Sequence, residues 1–491
     1  MNTLFSINNL SLFNYKCYDD SRHEIAFGKN LTVIIGQNGS GKTALLNAIK
    51  KSVSIILSKD KRKNVVFVGD GYNIKQNTLK VGDARYNFNF NEVGEDYEFP
   101  VRLECQGTVR TQFCDWFVEK ESKASHNGVT YRKALDMFLA PFNDGISVYP
   151  SLPVLCYFSD CFPHVRNDMT AYEKDILYNK SDNRERRAGY YRWDEDSTDF
   201  YFWMGMFINA YKELNDTVNG FYPVRQKLQT PGISDKSRAI LEDRMATLLR
   251  FQKELDYISS WIKRFSCVLC EYSNENIEIE SIGVGHYVND KGKAKDSLKI
   301  HFASGDIRYF DMLPEGHKRI FSIVFEIAYR HFVLNRNLVL KDPQSEPEGI
   351  VIIDEVELHL HPSLAEEIVV RLTQTFPRVQ FIITTHSPSV VSNFYNDGVL
   401  RKIYRLDSNH GFVEIKNFMG YDYADTLVFA MNSYSSMRYL QTLRQQYLVA
   451  LQMQDNTKVN DIRKALCAYI GEVENRDAIV ADIENEWKEL F

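Results

Sequence analysis

The chain has 491 residues, 44% hydrophobic and 25% charged, an ordinary globular composition that excludes a mainly disordered or collagen-like protein. Lys and Arg number 59 against 65 Asp and Glu, a net charge of −6, so any DNA contact must be a local patch rather than a coat. No run approaches the roughly 18 apolar residues of a membrane span, MNTLFSINNL carries no charged leader region, and eight cysteines are too sparse for a disulfide scaffold; a cytoplasmic protein is expected.

The first predicted element with chemical content is LTVIIG, Leu31 to Gly36, a short apolar run that reads as a buried strand. It leads into GQNGSGKT, which fits G-x-x-x-x-G-K-[ST], and then into ALLNAIKKSVSIIL from Ala44, with helical spacing. In that context Gly36, Gly39 and Gly41 let the backbone wrap a phosphate, with Asn38 and Ser40 completing the loop. Lys42 is placed to reach the β- and γ-phosphates of ATP, and the Thr43 hydroxyl to ligate Mg²⁺. The densest basic run follows, Lys59, Lys61, Arg62 and Lys63; a solvated loop or a DNA-facing patch both fit it.

Residues 64 to 105 read as strands, among them RYNFNFNEV with Tyr86, Phe88 and Phe90 alternating. PVLCYF, Pro153 to Phe158, reads as another core strand. From about 165 to 270 the pattern is helical, with Met245, Leu248, Leu255, Ile258 and Ile262 on one face. Residues 161–270 hold 17 Lys and Arg against 16 Asp and Glu, a balance suited to packing or partner contact rather than a DNA-binding arm. Arg184, Arg186 and Arg187 read as a solvated face. Cys156 and Cys161, and the C-x-x-C of Cys267 and Cys270, lack the further ligands of a zinc site and read as buried free thiols.

Strand character returns over 275 to 310 and leads into LPEGHKRIFSIVFEIAYR, where Gly316 sits at a helix start suited to an anion. GIVIIDEVELHLHP then gives a buried parallel strand ending in Asp354 and Glu355, at the sheet edge where the glycine loop also lies. Asp354 is the candidate Mg²⁺ ligand, and Glu355 the candidate base for an attacking water. VQFIITTHSP is a third core strand; His386 at its end is a candidate γ-phosphate contact. After Met419 the chain reads as helical to Phe491.

These motifs resemble the ABC-type ATPases of the RecF, SMC and Rad50 kind. The resemblance implies an α/β P-loop NTPase with a two-lobed head, a mixed sheet and an antiparallel β-subdomain. It divides the chain into lobe I over 1–160, a helical insertion over 161–272, lobe II over 273–418 and a helical region over 419–491. It makes His386 the switch histidine and lets Lys16, of Asn14-Tyr15-Lys16, contact nucleotide phosphate. It also makes Leu313, Glu315, Gly316 and His317 a signature motif that caps ATP held by a second subunit, in a head-to-tail dimer or a higher even oligomer. Pro314 departs from the family's Ser, which leaves ATP bound without turnover as an alternative to hydrolysis. No Q-loop glutamine can be placed.

The box DEVELHLHPS and the segment YDYADTLVFAMNSYSS resemble a narrower branch, the PtuA ATPases of Septu anti-phage systems and related retrons. That resemblance implies an ATPase that senses nucleotide and controls a separate HNH nuclease of the PtuB type. The alternative it leaves is a RecF-like repair or chromosome ATPase acting on DNA; a transporter subunit fits less well.

Overall fold

Apolar runs without polar alternation need both faces covered, and the central sheet is made of such runs. The computed structural model describes residues 4–58, 76–87, 96–126, 128–130, 132–143, 150–160, 186–195, 200–269, 277–288, 292–393, 395–407, 411–415, 426, 438–470 and 476–489. The basic run at 59–63, Phe88 and Phe90, Cys161, Arg184 and Cys270 lie outside these residues.

The chain opens with β1 (Phe5–Phe13), β2 (His23–Ala26), β3 (Leu31–Gly36) and α1 (Lys42–Val53). β4 (Arg85–Asn87), β5 (Asp96–Glu98), β6 (Val101–Val109), β7 (Gln112–Lys120), β8 (Gly128–Thr130), α2 (Arg132–Asn143) and β9 (Val154–Phe158) follow. Next come α3 (Phe200–Leu214), α4 (Phe221–Leu228), α5 (Asp235–Cys267), β10 (Ile279–Val288), β11 (Ala294–Phe302) and β12 (Ile307–Tyr309). The remaining elements of the first unit are α6 (Glu315–Lys341), β13 (Gly349–Ile353), α7 (Pro362–Thr375), β14 (Val379–Thr385), α8 (Pro388–Val391), β15 (Arg401–Leu406) and β16 (Phe412–Glu414). The helix read from Ala44 to Leu57 starts two residues earlier, at Lys42, and tightens into a 3-10 turn over Ser54–Leu57.

The central sheet runs β16-β15-β3-β14-β13-β9, parallel except for β16. β9, β13 and β14 are buried along their whole length. A five-stranded antiparallel sheet, β2-β1-β6-β7-β8, lies beside α1: Trp116 on β7 donates its indole N–H to the Ser52 carbonyl at 2.9 Å. Smaller antiparallel sheets are β10-β11-β12 and β4-β5. The fold is α/β, a mixed sheet beside an antiparallel subdomain.

Helix α5 buries Leu248, Leu255, Ile258 and Ile262 at the spacing read from the sequence, and packs along α6. Buried polar groups fasten this contact. Tyr257 pairs with His331 Nδ1 at 2.6 Å, and the Tyr329 hydroxyl donates to Glu254. On α6 the buried Arg330 pairs with Glu326 and donates to the carbonyls of Gly189 and Tyr191. Arg186 is not the solvated charge expected: it donates to the Leu334 and Pro150 carbonyls, 2.6 Å each, where α6 leaves helical geometry at Asn335. Cys156 is buried as expected, but Cys267 is exposed because it ends α5 beside Glu278. Contacts divide the chain into Met1–Gly420 and Tyr421–Phe491. The second unit carries α9 (Arg438–Gln452), α10 (Asn456–Ile470) and α11 (Arg476–Glu489) around a core of Leu443, Tyr447, Ala450, Ile462, Leu466 and Val480.

Burial, and secondarily the charge of Arg378, hold the His331 pKa down to about 3. An unfolded histidine titrates near 6.5. As pH falls below about 6.5 the unfolded chain takes up a proton that the folded chain refuses, so this site costs stability down to about pH 3. His331→Asn, which keeps a polar partner for Tyr257, should therefore lose less Tm than the parent between pH 7.5 and 5.0. Equal losses in the two proteins would mean that His331 does not stay neutral.

Candidate functional site

The carboxyl ends of β3, β13 and β14 lie at one edge of the sheet, because the strands are parallel and in register: Ile353 pairs with Ile383, and Thr385 with Ile35. That register collects residues more than 300 positions apart. Beyond β3 the loop turns through Gly39 (φ 80°) and Gly41 (φ 102°), backbone angles that favour glycine, and Gly41 caps α1. A Cβ on Gly36 would come within 2.6 Å of Ser40 Oγ, so any larger residue there would have to displace the Ser40 hydroxyl. Asn38 is exposed and Ser40 buried. The Tyr18 hydroxyl donates to the Gly41 carbonyl at 3.2 Å, tying β1's flank to the start of α1.

Lys42 donates to the Gly36 and Gln37 carbonyls at 2.8 and 3.0 Å. Thr43 Oγ1 donates to Asp354 Oδ2 at 3.3 Å, and Thr384 Oγ1 donates to Asp354 Oδ1. The Glu355 N–H donates to the same Thr384 oxygen at 2.9 Å. One hydroxyl thus spaces both acidic residues from the neighbouring strand. His386 Nε2 lies 3.6 Å from Glu355 Oε1, and the His386 N–H donates to Glu357 Oε1 at 2.6 Å. The structure therefore brings Lys42, Thr43, Asp354, Glu355 and His386 together.

Electrostatics follow from this crowding. Burial first, then the charges of Asp354, Glu357 and Asp160, push the Glu355 carboxyl above its usual range, while Lys42 pulls it down. Burial lowers the Lys42 ammonium against the pull of the same carboxylates. Burial and the Lys42 charge also lower His386, which favours the neutral ring; its approach to Glu355 is then a polar contact rather than an ion pair. The hydroxyl of Thr43 and the carboxylate of Asp354 are hard oxygen donors facing each other. That donor set fits Mg²⁺, which takes few protein ligands and completes its shell with water and phosphate.

Other predicted residues stand elsewhere. The Lys16 ammonium donates to the Gly82 carbonyl at 2.7 Å and lies 3.7 Å from Asp83. Leu313 is buried, Glu315 is exposed and pairs with Lys318, and His317 is half-buried at the start of α6. Gly316 is buried against the loop after Glu355: a Cβ there would come within 2.4 Å of the His359 carbonyl oxygen. The cap of α6 is Pro314, and Gly316, two residues on, is a point of close approach to the loop after Glu355.

Sequence reading missed Thr384, Glu357 and Arg319 as members of this constellation. Glu357 repeats the acidic character of Glu355 two residues on, which was a usable signal. Arg319 was hidden in His317-Lys318-Arg319, which reads as a basic helix face although the Arg319 side chain is fully buried.

The family model of the AAA ATPase domain (AAA_15) matches residues 6–391. The chain belongs to that ATPase family. The ATPase is 25% identical over 493 residues to the retron Vc95 probable ATPase of Vibrio cholerae serotype O1 biovar El Tor, covering 94% of this chain and 87% of that protein. It is 32% identical over 120 residues to the Septu protein PtuA of Bacillus mycoides (strain KBAB4), covering 24% of this chain and 16% of that one. Among solved structures, an SMC head bound to the C-winged helix domain of ScpA shares 13% identity at a TM-score of 0.41, covering 84% of this ATPase and 97% of that chain.

The tight seat of Gly316 makes a testable statement. Gly316→Ala must push the start of α6 off the His359 backbone, an overpacking that costs about 1–3 kcal/mol. Gly82→Ala is the control, a glycine at an ordinary φ whose Cβ would meet open space. Urea unfolding should show a loss for Gly316→Ala, with ATPase activity falling too. A Gly316→Ala protein as stable and active as the parent would refute the close contact.

Proposed function

We propose that this ATPase binds and hydrolyses MgATP at the P-loop edge of its sheet, and that it serves bacterial anti-phage defence by controlling a partner nuclease of the HNH type. The observation that carries the chemistry is the meeting of Lys42, Thr43, Asp354, Glu355 and His386 at one sheet edge: Thr43 hydrogen-bonds to Asp354, His386 Nε2 lies 3.6 Å from Glu355, and the Lys42 ammonium feels the charges of both carboxylates. Gly36, Asn38, Gly39, Ser40 and Gly41 wrap the phosphates with main-chain N–H groups, and Lys42 moves from its loop carbonyls to the β- and γ-oxygens. Thr43 and Asp354 would hold Mg²⁺, which would supply positive charge beside the phosphates. Glu355 orients the water and takes its proton; its elevated affinity for protons suits a base. His386, neutral and anchored through Glu357, donates to the γ-phosphate. Lys16 is held by Asp83 and would need to leave it to reach a nucleotide.

The defence role rests on the likeness to a retron ATPase along nearly the whole chain, and on the local likeness to a Septu PtuA protein. A cytoplasmic location, beside phage nucleic acid, is part of the same reading. No helix among the described residues is long and apolar enough to cross a membrane. Coexpression with a candidate HNH protein followed by affinity purification tests the partnership: copurification supports it, and absence of complex with and without ATP overturns it.

Loss of the Lys42 ammonium removes a charged donor to the phosphates, so Lys42→Ala should abolish ATP binding by calorimetry. Glu355→Gln keeps the shape and removes the base; turnover should fall by about 10²–10⁴-fold with affinity retained. Normal turnover in Glu355→Gln would assign the base elsewhere.

The start of α6 supplies Pro314 and the exposed Glu315, and we place it over the ATP of a second copy in a two-fold, head-to-tail dimer. Leu313, Glu315, Gly316 and His317 then form the cap in trans. Because Gly316 is a packing contact, the clean surface lesion is Glu315→Arg. Lys42→Ala and Glu315→Arg homodimers should each be inactive, while their mixture recovers partial ATPase activity through the one intact site of the heterodimer. Mixed dimers that form by native mass spectrometry yet stay inactive would exclude a shared site.

A further inference from the structure

Glu355 sits at φ 49°, a left-handed conformation that a side chain with a Cβ adopts only under constraint. Three sides of the turn are accounted for by β14 and by the turn itself. The Glu355 N–H reaches Thr384 Oγ1, the Val356 N–H reaches the Thr384 carbonyl at 3.1 Å, and the Leu358 N–H closes on the Glu355 carbonyl at 3.1 Å. The remaining side is held from α6. Arg319 is wholly buried. Its Nη2 donates to the carbonyls of Asp354 at 2.8 Å and Glu355 at 3.1 Å. Its Nη1 donates to the Ser159 carbonyl at 3.1 Å and approaches that of Asp160 at 3.5 Å, just past the end of β9. Burial lowers its pKa to about 10, so the guanidinium keeps its charge at neutral pH.

Placing a cation where it meets mainly peptide carbonyls is costly unless its geometry is used. The planar fork is what allows one side chain to span two strand ends; an ammonium has neither the reach nor the fixed directions. The fork sits one turn inside α6, three residues after Gly316, whose backbone already abuts His359 on the far side of the same loop. Two contacts from one helix start therefore grip the loop 354–359 on either side of Glu355.

We propose that Arg319 is the positioning residue for Glu355: it fixes the left-handed turn that aims the carboxylate, and so ties the aim of the base to the placement of the α6 start. This rests on the reading that Glu355 is the base and that the α6 start caps a second subunit's ATP. Movement of that helix start on a neighbour's nucleotide then reaches the carboxylate of its own subunit through the Arg319 guanidinium, with the Gly316 contact on His359 holding the other end of the loop.

The test is a double-mutant cycle on the full chain. Arg319→Lys, and Arg319→Gln should the lysine variant not fold, are made alone and with Glu355→Gln. ATP affinity by calorimetry and Tm first establish a folded, nucleotide-binding protein. With Arg319 changed alone, kcat should fall about 10–100-fold, as expected for a misaimed base, with KM and ATP affinity within about twofold. In the Glu355→Gln background, single-turnover hydrolysis should show no further loss from changing Arg319. An unchanged kcat in a folded variant overturns the proposal. So does an equal fold-loss in both backgrounds, or a loss carried by affinity, since these are what a general structural rivet predicts. The underlying reading fails separately: wild-type turnover in Glu355→Gln alone removes the base without reference to Arg319.

Discussion

The parallel register of β9, β13, β14 and β3 is the constraint on which the site depends. Val351 lies between Phe381 and Cys156, and Ile383 between Ile353 and Val33, so four strands from distant parts of the chain end level with one another. A slip of one residue between β13 and β14 would turn Thr384 to the opposite face and separate its hydroxyl from both Asp354 and Glu355. Apolar burial on both faces opposes such a slip, because β13 and β14 have no exposed residue to trade. The chemistry is therefore positioned by hydrophobic packing that contains no reactive group.

Given that register, the site is an electrostatic compromise. Asp354, Glu357 and Asp160 crowd Glu355 at the sheet edge, and each of the three raises the cost of ionising it. Lys42 from the loop side and Arg319 from the helix side make that density of carboxylates tolerable. Their contributions differ in kind. Lys42 is a flexible point charge resting on the carbonyls of its own loop, free to exchange them for phosphate oxygens. Arg319 is a fixed fork committed to main-chain carbonyls. On the proposed reading the first can follow a ligand and the second cannot, so the two cations divide binding from alignment.

Much of this was legible in the sequence because the relevant signals are short and local. The strand before Gly36, the strand before Asp354 and the strand before His386 each announce themselves as an apolar run ending in polar residues, and all three lie where expected. What was not legible depends on distance in the chain. Arg186 reads as one of several surface arginines; only the kink of α6 at Asn335, about 150 residues later, makes it a donor to Leu334. Arg319 reads as part of a basic face because helical periodicity cannot say that a fourth partner, the end of β9, closes over it. Gly316 reads as an anion seat because a glycine at a helix start has that use, whereas its place is set by a backbone from beyond β13.

That last substitution of meaning bears on how the two ends of α6 are used. A helix whose first turn must leave room for the His359 backbone cannot carry a side chain at 316, and its exposed donors are limited to the residues on either side. Pro314 has no N–H to offer, so the cap presents a rigid entry rather than a hydroxyl. On the proposed reading, contact with a second copy's phosphate comes from main-chain N–H groups and the half-buried His317. The same tightness makes the first turn a poor shock absorber: a displacement at Glu315 has no slack to take it up before it reaches the loop carrying Glu355. On the proposed reading, close packing at Gly316 and the fork at Arg319 act together, linking the exposed start of α6 to the loop that carries the half-buried Glu355.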